Sequence, residues 1–318
     1  MSGADHAIKR GGALMLALHV TAYGRPPVAV KDAPRPSPSP GSTLVRMSAV
    51  ALGHLDRTVA SGTFPAAPAP PYIPCGDGAG RVVESESFPA GALVWIRGGG
   101  LGVTRGGVAA QYALVPDAAC HLAPPGADEL LAACFFSPAT SAHVAVHDLG
   151  RVQAGTRVLV SGAAGAVGSL AVQLALAAGA RVDAMVSKPE RAMLVPQGAR
   201  VTSGAGPYDL FIDTVGGPAL SERLDLVAAG GRAVLLGYTQ GSRVELDLPR
   251  RMAHDVELLF LNMQRRAPQA FGVAGELLTR LSRGDLRLNL SCYPLEQAGL
   301  AWQALADGSA AGRVVLQL

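Results

Sequence analysis

The chain has 318 residues, of which 49% are hydrophobic and 16% charged, enough for about two domains, each with its own core. A net charge of +3, no Lys/Arg cluster along one face and only 5% aromatic residues argue against a nucleic-acid partner. No apolar run reaches the roughly 20 residues of a membrane span, and four scattered cysteines (Cys75, Cys120, Cys134, Cys292) suit reduced thiols in the cytoplasm better than a disulfide framework.

Residues 1–13 are expected to form a flexible extension without a signal peptide, since Asp5 and His6 stand where a basic leader segment would lie. Leu14 to Tyr23 and Thr43 to Leu52 read as strands around the connector Pro34 to Gly41, which its prolines bar from a helix or a central strand. Gly80 to Glu84, Leu93 to Arg97 and Ala110 to Val115 continue the strand pattern. Dense glycine and proline between them predict an irregular β barrel.

From about Ala132 strands and helices alternate, the pattern of a parallel sheet with right-handed crossovers. Expected strands are Arg157–Val160, Arg181–Val186, Asp209–Thr214, Arg232–Leu236 and Val256–Leu261. The first runs into Gly162-Ala163-Ala164-Gly165-Ala166-Val167-Gly168 and then an amphipathic helix. That order predicts a dinucleotide turn: Gly162 for the bend, Gly165 for close approach of a pyrophosphate, Gly168 for helix–sheet packing. The helix N-terminus would offer amides and a partial positive charge to the phosphates. After the second strand, where an NAD-specific fold places Asp or Glu, the chain has Val186-Ser187-Lys188, with Arg191 close behind. A hydroxyl and two cations favour the 2′-phosphate of NADP(H); the alternative is a solvated Lys/Arg pair at a helix start. Asp183 lies inside an expected central strand, where it faces a loop or pairs with an arginine. Gly237-Tyr238 and Leu261-Asn262 end the next strands on the ligand side and are lining candidates, with a simple turn as the alternative for Asn262. A helix over Ala270 to Arg283, a strand near Leu286 to Cys292, a helix over Leu295 to Asp307 and a strand over Gly312 to Leu318 complete the chain.

Ala51-Leu-Gly-His-Leu-Asp56, Gly62-Thr-Phe-Pro65, Pro74-Cys-Gly-Asp-Gly-Ala-Gly80 and Gly106-Gly-Val-Ala-Ala-Gln-Tyr-Ala113 occur in this order. Val160 to Gly168, Asp213-Thr-Val-Gly-Gly217 and Gly230-Gly-Arg-Ala-Val-Leu-Leu-Gly237 follow. With these segments the chain resembles the medium-chain dehydrogenase/reductases from Leu14 to Leu318, and among them the zinc-independent quinone oxidoreductase and enoyl reductase group. The resemblance implies an α/β fold: a Rossmann doubly wound parallel sheet, residues 133–269, and an irregular, GroES-like catalytic domain, residues 14–132 and 270–318. It also implies that Val215 lies near the nicotinamide ring, and that two copies join through the Rossmann sheet edge at Val256–Leu261 as a homodimer. Relatives usually carry another helix between Gln197 and Asp209, so the adenine side is expected to be more open here.

Metal-dependent relatives hold zinc with a cysteine, a His-Glu pair and a further cysteine or aspartate. Here Gly53 takes the first place and Gly76-Asp77 the second, and Cys134 alone cannot complete a tetrahedral site, so no metal is expected. Relatives often carry asparagine and tyrosines near the ring, where this chain has Gly53, Thr58 and Phe64. His54, beside Asp56, is the candidate proton donor; the alternative is a histidine bonded to backbone, and Asp56 could equally cap a helix. The reading is a zinc-independent NADPH-dependent reductase passing hydride to a quinone or an α,β-unsaturated carbonyl. An enoyl-thioester reductase and a non-catalytic NADPH-binding protein are the alternatives.

Overall fold

The computed structural model describes residues 13–318, so the extension expected at residues 1–13 falls almost wholly outside it. Two compact units divide the described residues: residues 13–123, Cys292–Gly308 and Val315–Leu318 form the first, Pro124–Ser291 and Ser309–Val314 the second.

In the first unit, a nearly continuous buried run builds the strand Ser42–Leu52, whose Leu44, Val45, Val50 and Leu52 are buried. It pairs antiparallel with Asp77–Glu84 and with Tyr112–Pro116, and Asp77–Glu84 pairs in turn with Leu93–Ile96. The seven-stranded sheet continues to Cys120–Leu122 on one side and to Arg313–Gln317 and Leu290–Pro294 on the other. Leu14–His19 pairs with Val28–Pro34 as a separate two-stranded ribbon. This second strand was not expected. Its sequence, Val-Ala-Val-Lys-Asp-Ala-Pro, lies mostly exposed, so it carries little hydrophobic signal, and Pro34 ends it where the connector begins.

The second unit is a six-stranded parallel sheet. Across it run Arg200–Val201, Arg181–Met185, Arg157–Ser161, Tyr208–Asp213, Val227–Leu235 and Glu257–Phe260. In chain order this is 3-2-1-4-5-6, the doubly wound order whose ligand crevice opens where the order reverses, beyond the ends of the first and fourth strands. Leu159, Phe211, Leu220, Leu224 and Val227 form a core on one side. Each large apolar side chain so buried contributes roughly 1.5–3 kcal/mol. The helix Ala267–Arg283 also belongs here, although the boundary was expected at residue 270 with the helix on the catalytic side. Its apolar stripe (Ala270, Ala274, Leu277, Leu278, Leu281) is buried, and Phe271 packs on Phe136 with ring centroids 4.8 Å apart. The first boundary likewise falls after Ala123 rather than at 132. Among the described residues, no helix is long and apolar enough to cross a membrane.

Candidate functional site

The strand Arg157–Ser161 delivers its chain into the glycine turn. Gly162 has φ +61°, in the left-handed region, and a Cβ there would lie 2.9 Å from Val215 Cγ1 and overlap Thr214 Oγ1. Gly165 donates its amide to the Gly162 carbonyl at 2.8 Å and, extended at φ −84°, caps the helix Ala166–Ala177. The first bond of that helix runs from Ser169 N to Gly165 O at 2.9 Å, so the amides of Ala166, Val167 and Gly168 have no acceptor within the helix. Gly165, Ala166 and Val167 are half-exposed, whereas Ala164 is buried in the turn. A Cβ on Gly165 would meet only the Gly162 carbonyl oxygen, at 3.2 Å, with open space beyond; on Gly168 it would collide with the Gly162 carbonyl and come 2.9 Å from Ala163 Cα. The three glycines therefore do different work: bending, leaving room outside, and packing inside. Free amides, a helix dipole and an open face together fit the pyrophosphate of a dinucleotide.

Beside this turn lie the loops after the fourth and fifth strands. Asp213 O accepts from Leu236 N at 3.0 Å, Val215 O from Gln240 N at 2.9 Å, and Gly241 O from Gly217 N at 3.0 Å. The loops approach so closely that a Cβ on Gly216 would come 2.6 Å from the Gly237 carbonyl oxygen, and one on Gly237 would overlap Thr214. Tyr238 emerges from this crossing, exposed. Leu261 extends the last strand by bonding Leu235 O at 2.9 Å. Asn262 closes its own turn: its side-chain oxygen accepts from Gln264 N at 3.0 Å and Arg265 N at 3.2 Å. That is the turn role which sequence reasoning held open against ligand lining.

At the end of the second strand, Ala163 N bonds Met185 O at 3.1 Å, which places the Ser187 segment beside the glycine turn. Ser187 and Lys188 are exposed there. Arg191, in the 3-10 helix Pro189–Leu194, donates Nη2 to the Ala310 carbonyl at 2.7 Å, so part of its donor capacity is spent within the unit. Asp183 turns away to the sheet edge. Arg200 grips it with Nε at 3.0 Å and Nη2 at 2.5 Å, and the Tyr208 hydroxyl donates to it at 2.6 Å. These hydrogen bonds, Arg200's foremost, hold its carboxyl below the usual range against the opposing effect of burial. Between Gln197 and Asp209 the chain forms a two-residue strand, Arg200–Val201, held through Arg200 by that triad.

The remaining candidates belong to the first unit. His54 is exposed and opens the helix His54–Ala60. The Asp56 carboxylate accepts from Gly53 N at 2.7 Å, which makes it a cap, and the Thr58 hydroxyl donates to His54 O at 3.1 Å. Phe64 packs against the buried cluster of Val20, Val59, Ala60 and Tyr72. Asp77 is buried and bound by Arg97 Nη1 at 2.7 Å, and this pairing raises the guanidinium pKa further. Cys75 and Cys120 are buried here, as Cys134 is in the second unit, and burial pushes the Cys120 thiol up to about 12. Among the described residues, no three His, Cys, Asp or Glu side chains converge as a metal site.

Two residues escaped sequence reasoning as site components: Ser161 and Arg223, which meet at Asp213. A signal was present. A carboxylate ending the apolar run Leu210-Phe211-Ile212 must find partners once buried.

Comparison with known proteins accords with this geometry. The family model for the alcohol dehydrogenase GroES-like domain matches residues 39–125, and that for zinc-binding dehydrogenase matches residues 177–316. The chain is 28% identical to the quinone oxidoreductase of Rattus norvegicus over 334 residues, covering 97% of this chain and 99% of the relative. It is 31% identical to a zinc-type alcohol dehydrogenase-like protein of Schizosaccharomyces pombe over 223 residues, covering 69% of this chain and 68% of the relative. The crystal structure of quinone oxidoreductase from Pseudomonas syringae pv. tomato DC3000 superposes with a TM-score of 0.82 at 24% identity, covering 96% of this chain and all of that one, a likeness of fold.

Proposed function

This chain belongs to the medium-chain dehydrogenase/reductase superfamily, on its quinone oxidoreductase branch, and from that premise we propose that it is a zinc-independent, NADPH-dependent reductase of quinones or α,β-unsaturated carbonyl compounds. One observation carries the reading. An open, amide-lined glycine turn stands beside a second strand end with no carboxylate, where Ser187 and Lys188 reach solvent and Asp183 is committed to Arg200 and Tyr208. A ribose 2′-hydroxyl finds no acidic partner among Val186, Ser187 and Lys188, whereas a 2′-phosphate finds a cation.

The bound nicotinamide would supply hydride to the acceptor. The chain's own residues would bind and orient it. The amides of Ala166, Val167 and Gly168 would hold the pyrophosphate, and Ser187 and Lys188, with Arg191 behind them, the 2′-phosphate. Val215, Gly237 and Tyr238 would flank the nicotinamide half. The zinc-free reading is supported by Gly53 and Gly76, which have no ligand atoms, and by Asp77, whose carboxylate already holds Arg97. Thr58 and Phe64 serve the local fold, and a quinone needs little protein assistance because solvent can protonate its reduced product. A second copy would add its edge strand at Glu257–Phe260, where Phe260 is 77% exposed and Met252, on the preceding helix, 79%. The reduced-thiol composition suits the cytoplasm.

Two measurements test the proposal: dissociation constants for NADPH and NADH, and NADPH oxidation against a panel of quinones, enones and enoyl thioesters. NADPH binding at least about tenfold tighter, equivalent to one charge-assisted bond, with turnover on quinones or enones, is the expected result. Turnover confined to enoyl thioesters would move the substrate class, and saturable binding without turnover across the panel would assign a non-catalytic role. Equal affinity for the two cofactors would refute the 2′-phosphate reading.

A further inference from the structure

Asp213 ends the strand Tyr208–Asp213 with its carboxylate fully buried. Three groups converge on it. The Ser161 hydroxyl donates at 2.6 Å, the Gly216 amide at 2.7 Å, and Arg223 Nη2 stands 3.5 Å from Oδ1. Each partner also grips a loop of the candidate cofactor site. Ser161 immediately precedes Gly162; its hydroxyl oxygen accepts from Thr214 N at 3.0 Å, and its carbonyl accepts from Thr214 Oγ1 at 2.8 Å. Arg223 Nη2 donates to the Gly216 carbonyl at 2.5 Å, so Gly216 is held at both its amide and its carbonyl. The result is a closed set of bonds that joins the glycine turn to the loop Thr214–Gly216 through one carboxylate.

Stability alone is a poor reason for this arrangement. A buried ion pair often adds no more than well-packed apolar side chains would. Here it also leaves Arg223 Nε buried without a hydrogen-bond partner, a further cost. The bonds gather at the two loops that would meet the two halves of a dinucleotide. When both gripping elements are held at a fixed separation, binding one half places the other in reach, and the second contact becomes effectively intramolecular.

We propose that Asp213, through Ser161 and Arg223, is a positioning residue that locks the Gly162 turn to the Thr214–Gly216 loop, so that both halves of the dinucleotide are gripped together. The inference rests on the cofactor reading above. It predicts a split that a merely structural residue would not produce: loosening the lock should harm the whole dinucleotide and spare a fragment bound at one end.

The test compares Ser161→Ala and Asp213→Asn with the unmutated protein, titrating NADPH and the fragment 2′,5′-ADP, with a thermal unfolding midpoint for each variant. Ser161→Ala removes one bond to the carboxylate and keeps the test alive if Asp213→Asn fails to fold. NADPH affinity is expected to fall about tenfold, as for loss of one hydrogen bond to a charged group, while 2′,5′-ADP affinity changes less than about threefold. Parallel loss of both ligands, or unchanged NADPH affinity, would overturn the inference. If the unmutated protein prefers NADH, the pair becomes NADH and 5′-AMP with the same expectation. If it binds neither dinucleotide, the cofactor reading itself fails, a result distinct from a failed split.

Discussion

Exchanging Gly165 and Gly168, one at a time, for alanine separates binding from folding. At Gly165 an added methyl meets only the Gly162 carbonyl oxygen, at 3.2 Å, and φ of −84° suits any residue. Alanine at a cap in place of glycine costs about 0.5–1 kcal/mol, and stiffening the unfolded chain returns about 0.4–1 kcal/mol, so the melting temperature should stay within about 2 °C. The methyl nevertheless stands on the open face that a pyrophosphate would approach, and losing one charge-assisted bond there should weaken NADPH at least about tenfold. At Gly168 the balance reverses. Helix propensity gains about 0.8–1 kcal/mol, but the methyl runs into the Gly162 carbonyl and comes 2.9 Å from Ala163 Cα, backbone that cannot swing aside. Overpacking against fixed backbone lies at the upper end of about 1–3 kcal/mol, for a net fall of about 2 kcal/mol, or roughly 4–8 °C. Differential scanning fluorimetry and NADPH titration read both quantities on the same samples. Unimpaired NADPH binding by Gly165→Ala would show that no phosphate comes to this face, and an unchanged melting point in Gly168→Ala would refute the packing argument.

Replacing Lys188 and Arg191 together by Ala should bring NADPH and NADH affinities within about threefold of each other, measured by fluorescence titration; Arg191→Ala alone should also lower the melting temperature, because it removes the bond to Ala310. His54→Ala should keep turnover within about tenfold of the unmutated protein, whereas a loss of about 100-fold together with loss of a pH dependence near neutrality would make His54 the proton donor. Protein purified without chelator should carry far less than one zinc per chain by elemental analysis, and prolonged chelation should leave cofactor affinity unchanged; stoichiometric zinc would contradict the ligand argument. Hydrogen bonds from Arg200 lower the Asp183 pKa, so its stabilising contribution is complete above the unfolded carboxyl value of about 3.9 and is lost as pH falls through the folded value. Asp183→Asn should therefore lower the melting temperature more at pH 7 than at pH 3, and an equal penalty at both would exclude the ionised pair.

Features encoded locally were legible in the sequence. Strand, turn and helix around Gly162 to Gly168 follow from neighbouring residues, and five of the six sheet strands of the second unit appear near their expected places because each is a short apolar run between turn signals; the two-residue strand Arg200–Val201 carries no such signal. Features that depend on distant partners were not. Asp183 looked anomalous because its partners, Arg200 and Tyr208, lie 17 and 25 residues away. Ser161 and Asp213, 52 residues apart, meet only because the first and fourth strands are neighbours in the sheet. The strand Val28–Pro34 was missed for a different reason: its exposed residues and the charges of Lys31 and Asp32 erase the alternation that reveals a half-buried strand.

The two edges of the parallel sheet differ in a way that bears on how far association can go. One ends in Arg200–Val201, only two residues long, with an arginine tied across it. The other ends in Glu257–Phe260, twice that length, with the Phe260 ring in solvent. A sheet with two pairable edges can recruit copies without limit and grow into a fibre; one with a single pairable edge closes on itself by two-fold symmetry and stops. Arg200–Val201 is thus an edge too short to template another strand, and an edge-to-edge union through Glu257–Phe260 would end at two copies.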